Sequence, residues 1–169
     1  MRSRSSAVLS SSAIAAALIL ALSGCSVVGQ ATDALQGKTD VFALTVGDCT
    51  NDASAETTEL SSVANPSCDE SHDNEIFATF DFDADQFPAG AEYPGGDAVV
   101  AEAEEGCFPL FEDWVGVPSD ETSLHYGSYF PSEESWDDGD REILCLAYDL
   151  NGPVTGTLEG KGADYPYVA

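Results

Sequence analysis

Cations are scarce in this chain: five lysines and arginines stand against 31 aspartates and glutamates, a formal charge of −26. Two of the five, Arg2 and Arg4, precede every acidic residue. Past Cys25 only Lys38, Arg141 and Lys161 remain, so that part of the chain carries a formal charge of −28. Such a surface repels phosphate backbones and anionic headgroups, which excludes nucleic acid as a partner. Cationic partners, divalent ions or solubility alone are compatible with it. The acidity is not that of a disordered segment, because aromatic residues are spread along the chain and 43% of it is apolar.

A long hydrophobic run is missing too. Ala13 to Leu22 is apolar but falls short of the roughly 20 residues that a bilayer span needs. With Arg2 and Arg4 ahead of it, this run has the layout of an export signal. It ends in Leu22-Ser23-Gly24-Cys25, which resembles the lipobox of bacterial lipoproteins, whose cysteine is acylated and becomes the new N-terminus. The expectation is a signal peptide over residues 1–24, a lipidated Cys25 opening a flexible linker over residues 25–40, and a domain held at the outer face of the cell membrane. Two or three acyl chains make such a tether durable where one is marginal.

No Cys-x-x-Cys spacing occurs, which removes the usual zinc and redox motifs. The four cysteines beyond Cys25 are Cys49, Cys68, Cys107 and Cys145. An even count in an exported chain implies two disulfides, with three connectivities open. There is no Gly-x-Ser-x-Gly, no glycine-rich phosphate loop, and no free cysteine once both bridges form. The expectation is a domain without catalytic residues or cofactor.

What is present organises itself around Phe130 to Asp149. Arg141 to Leu150 reads as a strand covered on both faces, preceded by a loop from Pro131 to Asp140 with Trp136 in its middle. Further strands are expected at Val41–Thr45, Thr58–Val63, Glu75–Phe82 and Thr122–Phe130. In Glu75–Phe82, alternation puts Ile76, Ala78 and Phe80 on one face and Phe77, Thr79 and Asp81 on the other. Asn151-Gly152 signals a hairpin into a short edge strand, Pro153–Leu158. Asp97–Val115 has helical spacing, with Val99, Val100, Ala103, Cys107, Leu110, Phe111 and Trp114 on one stripe and a kink or break expected near Pro109. Cys49 follows one strand and Cys68 the next, so a local bridge closes the loop between them. Cys107 on the apolar stripe then meets Cys145 in mid-strand. The expected fold class is α+β: a mostly antiparallel sheet with one main helix on one face and two disulfides. The domain spans 41–158, and the tail over 159–169 is expected to be loose.

Several side chains are chemical candidates. His72 and Glu75, with Asp73 between them, have the spacing of a metal or proton-transfer pair, and equally of a loop fixed by hydrogen bonds. Arg141 enters a buried strand and needs a partner, for which the acids of the His72 loop (Asp73, Glu75) or Asp140 itself are expected, with binding of a ligand anion as the alternative. Asp81, Asp83, Asp85 and Glu92 fall at positions 1, 3, 5 and 12 of a calcium loop, though Gln86 stands where the turn needs glycine. Trp136, Tyr129 and Phe130 are candidates to line a pocket, although a tryptophan beside a turn more commonly caps the core.

Together these pieces resemble the septum formation domain family of actinobacterial envelope proteins. The residues that carry the likeness are Val46-Gly47-Asp48-Cys49, then Cys68 with His72-Asp73-Asn74-Glu75-Ile76-Phe77, and Cys107. Pro131 to Trp136, Gly139-Asp140-Arg141, Cys145 and Thr155-Gly156-Thr157 complete it. The family's usual Ser-Glu-Pro-His appears here as Asp69-Glu70-Ser71-His72. The resemblance implies a link to septum formation or envelope assembly, with an envelope protein or cell-wall component as partner. The alternative it leaves open is a metal-dependent or hydrolytic enzyme centred on His72 and Glu75.

Overall fold

The computed structural model describes residues 37–52 and 60–167. Cys25, the expected signal peptide and most of the expected linker lie outside the described residues. The two strands with the longest apolar runs lie at the centre of the sheet, as burial on both faces demands. They are β4 (Asn74–Asp81) and β6 (Glu142–Asp149), flanked by β2 (Cys49–Thr50) and β5 (Leu124–Tyr129) in the antiparallel order β2-β4-β6-β5. A separate ribbon pairs β1 (Lys38–Asp40) with β3 (Ser62–Ala64).

Helix α1 (Gly96–Val115) covers one face of the sheet. Val99, Ala103, Cys107, Phe111 and Val115, one per turn, form its buried stripe. It stops at Gly116, whose φ of 82° is the left-handed cap that favours glycine. Pro109 does not break the helix. Buried anchors on both sides, Cys107 in its disulfide and Phe111 in the core, hold the axis through the missing hydrogen bond. Both bridges join the expected pairs, Cys49 to Cys68 and Cys107 to Cys145, with Cα separations of 5.3 and 5.6 Å. The opposite face of the sheet has its own small core of Leu44, Val63, Ile76, Leu144 and Leu146, covered by the β1/β3 side.

Four expectations are corrected. A register shift between Ile76 and Ala78 breaks the alternation of β4. Ile76 faces the smaller core, while Phe77 joins Ala78 and Phe80 on the helix side. An inserted residue in one strand has this effect, because a period of two changes phase at a bulge. Val41–Ala43 is a 3-10 turn rather than a strand, because the Asp40 carboxylate accepts from the Phe42 amide at 3.0 Å and bends the chain. The strand lies just ahead of it, so the folded domain begins inside the expected linker.

Pro153–Leu158 forms no edge strand. It crosses the end of the sheet, with a single bridge between Val154 and His72. Nor is the tail loose up to Pro166, which bridges to Thr122. The Tyr165 carbonyl accepts from the Ser123 amide at 2.7 Å and the Thr122 hydroxyl at 3.0 Å. Gly162 is buried where a Cβ would lie 2.9 Å from the Val115 carbonyl oxygen, so glycine is what lets the tail close against α1.

Candidate functional site

The sequence candidates separate into two buried groups at opposite ends of β4. At its start, Glu75 is the register partner of Cys49, and His72 sits two residues before the strand. The Glu75 carboxylate accepts from the Thr157 hydroxyl and from the Leu158 amide, both at 2.7 Å. It therefore fastens the 153–158 segment across the sheet end. His72 is fully buried, and its Nδ1 lies 2.9 Å from the Glu70 carbonyl. A carbonyl only accepts, so Nδ1 carries a proton toward it, while the buried Nε2 has no partner.

At the far end of β4 the Pro131–Asp140 stretch, expected as a loop, contains a short helix, α2 (Glu133–Asp137). Ser132 and Ser135 cap it reciprocally: the Ser135 amide donates to the Ser132 hydroxyl at 3.2 Å and the Ser132 amide to the Ser135 hydroxyl at 3.1 Å. Serine replaces the Glu or Gln of the usual capping box, which hides the signal in the sequence. α2 carries Trp136 into the core, where it is 1% exposed and ringed edge-on by Phe82, Phe87 and Tyr93 at 5.1 to 5.8 Å. Its indole N–H donates to the Ala91 carbonyl at 2.8 Å.

Arg141 belongs to this second group. Its guanidinium lies 3.6 Å above the Trp136 ring, and Nη1 donates to the carbonyls of Trp136 and Asp140. The expected pairing with Glu75 or Asp73 does not occur. Glu75 pairs with Ala147, whereas Glu142, the neighbour of Arg141, pairs with Asp81. Six residues of extended strand separate the two ends, about 20 Å. The arginine's charge is met by a π face and backbone carbonyls instead of a carboxylate. Arg141→Ala should cost about 1–2 kcal/mol through the lost stacking. In a double-mutant cycle with Glu75→Ala, read by denaturant melts, the losses should add within about 0.5 kcal/mol. A larger coupling would mean that the ends of β4 communicate.

The calcium-loop acids do not gather. Asp81 is in the sheet opposite Glu142, and Asp83 turns its carboxylate back to accept from the Asp85 amide at 2.8 Å. Among the described residues, the group whose ligand atoms meet is Cys49, His72 and Glu75, all within 4.8 Å of one another.

A cleft of about 1160 Å³ opens on the sheet face away from α1, between Val41, Phe42 and Leu60 on one side and residues 128–135 and 138–140 on the other. Leu144 and Tyr129 give it an apolar floor, and Phe42 and Phe130 stand at its rim, 60% and 42% exposed. Glu133, Glu134, Asp138, Asp140 and Glu142 line it, with no lysine, arginine or histidine among the lining residues. Asp140 is held rigidly, accepting from the Ser135 hydroxyl at 2.9 Å and the Glu142 amide at 3.0 Å. Burial, then the nearby charges of Asp81 and Asp140, push the Glu142 carboxyl above the usual carboxylate range. Folding thus favours its protonated form, a contribution present at low pH and lost as pH rises through the folded pKa.

Tyr129 and Phe130 do line the cleft, as the sequence led one to expect, whereas Trp136 is packed beneath its wall. The acids of α2 could have been found from the Phe-Pro-Ser-Glu-Glu-Ser run beside Phe130. Val41, Phe42 and Leu60 carried no such signal, since only folding brings them opposite α2.

A family model described as septum formation matches residues 46–162. The match takes in all four bridged cysteines, both buried groups and α2, but leaves Val41 and Phe42 of the cleft wall outside. The comparisons with curated proteins and with solved structures found no match.

Proposed function

Because the chain belongs to the septum formation family, we propose that it serves septum formation or envelope assembly as a domain that binds and does not catalyse. In this reading Cys25 carries the lipid anchor, the domain stands at the outer face of the membrane, and the cleft receives an envelope protein or cell-wall component. The observation that carries it is the composition of the cleft: an apolar, aromatic-rimmed floor surrounded, among the described residues, by five carboxylates and no cation. A partner that fits must bring positive charge and an apolar group together. Its association should be fast and salt-sensitive, since opposite charges steer encounter. A hydrolytic centre at His72 and Glu75 is disfavoured, because both side chains are buried and the Glu75 oxygens are already engaged by Thr157 and Leu158.

Glu133→Gln, Glu134→Gln and Asp138→Gln together test the cleft without touching the core, since all three residues are exposed. As the sole copy in cells, the triple variant should melt like the parent yet reproduce the septation defect of a deletion. Normal septation would dismiss the cleft as the working surface. Cys25→Ser tests the anchor separately: the chain should leave the membrane fraction, and a lipid-modified, membrane-bound variant would refute that assignment.

A further inference from the structure

At the sealed end of β4, the Cys49 sulfur, a ring nitrogen of His72 and a carboxylate oxygen of Glu75 lie within 4.8 Å of one another, and all three residues are buried. The cleft does not use them. We propose that reduction of the Cys49–Cys68 disulfide turns this cluster into a zinc site, with the Cys49 thiolate, His72 Nε2 and the Glu75 carboxylate as its protein ligands.

Three observations support it. The first is the histidine. Its Nδ1–H is committed to the Glu70 carbonyl at 2.9 Å, which leaves Nε2 buried and without a partner. A metal-bound imidazole has this arrangement: one nitrogen donates to a backbone carbonyl and the other points a free lone pair at the ion. The second is Glu75, whose two oxygens are already oriented by the Thr157 hydroxyl and the Leu158 amide, each at 2.7 Å. A ligating carboxylate is held in the same way by outer hydrogen bonds, and each oxygen retains a lone pair. The third is access. Cys68 is only half-buried, whereas Cys107 and Cys145 are completely buried. A dithiol therefore reaches the Cys49–Cys68 bridge first.

The chemistry balances with a dithiol as reductant. Its first thiolate attacks the Cys68 sulfur, the Cys49 sulfur leaves with the bonding electrons, and the second thiol then releases Cys68. The reductant ends as a disulfide and the protein as two thiols, two electrons having passed. On metal binding Cys49 gives up its proton to solvent, while Cys68 keeps its own. Thiolate, imidazole and carboxylate suit zinc, and three protein ligands leave a fourth position to water. Tetrahedral zinc needs ligand atoms about 3.5 Å apart, so the group must close by up to about 1 Å. Release of Cys49 from Cys68 gives its side chain the freedom to do so.

The test uses the full chain purified in detergent. Cys68→Ser leaves Cys49 as a free thiol, and Cys49→Ser with Cys68→Ser loses the same bridge without it. The single variant should bind one Co²⁺ with a thiolate-to-cobalt charge-transfer band. Zn²⁺ should displace the cobalt and raise the melting temperature. The double variant and the oxidised parent should show neither effect. Thr157→Val in the Cys68→Ser background should weaken Zn²⁺ binding about 10- to 100-fold. Equal Zn²⁺ affinity in the single and double variants would overturn the proposal. Should Cys68→Ser not fold, the parent is reduced by a dithiol in the presence of Zn²⁺ and alkylated. Cys68 should react while Cys49 is protected, and equal labelling of the two would overturn it as well.

Discussion

Trp136→Ala should cost about 3–5 kcal/mol of folding stability, the loss expected when a large buried aromatic is deleted. The side chain is 1% exposed and makes edge-on contacts with three other rings. Its loss also strips Arg141 of the π face beneath its guanidinium and leaves the Ala91 carbonyl without its donor. These effects share one site, so the total exceeds a simple cavity. Trp136→Phe keeps an aromatic ring but loses the indole N–H, and should give up a smaller part. Because α2 forms one wall of the cleft, Trp136→Ala should also weaken partner binding, although Trp136 itself does not face the opening. Urea melts read the stability. A loss below about 1 kcal/mol would mean that the cage repacks and that α2 is not held by its tryptophan.

Removal of the Cys107–Cys145 bridge, as Cys107→Ala with Cys145→Ala, should cost about 4 kcal/mol in the chain-entropy model. The closed loop has a sequence separation of 38, against 19 for Cys49–Cys68, whose loss should cost about 3 kcal/mol. Position widens the gap. Cys107 is on the buried stripe of α1 and Cys145 in the centre of β6, so the bridge welds the helix to the sheet through the main core. Against the 5–15 kcal/mol that usually holds a domain together, either loss is large. Denaturant melts of the two alanine pairs rank them. If the Cys49–Cys68 pair proves the more costly, the fold depends more on its β2 end than on the helix–sheet contact.

These predictions rest on features of unequal legibility. Both disulfides could be read from local context, because each cysteine sits at a place defined by short-range pattern: after a strand, after a strand, on a helix stripe, within an apolar run. The composition of the cleft was half legible. The acids around Trp136 adjoin Phe130 in the chain, but the facing wall comes from residues 41, 42 and 60. Nothing between those segments and α2 in sequence predicts that they meet.

The chain by itself determined the α+β class, the two-sided burial of β6, the extent of α1 and the pairing of the cysteines. Hydrophobic period and turn residues act within a few positions of one another, so their consequences survive any uncertainty about the remainder. Tertiary structure alone decided what the ionisable side chains do. Arg141 could have met any of 31 acids, and it found an indole face and two carbonyls because β4 holds His72 and Glu75 about 20 Å away. His72 and Glu75 became a sealed pair because the 153–158 segment crosses the sheet end instead of pairing along its edge. A charge is stabilised by whatever lies within a few ångströms of it, and in a buried site that neighbour is chosen by the packing of elements far apart in the chain.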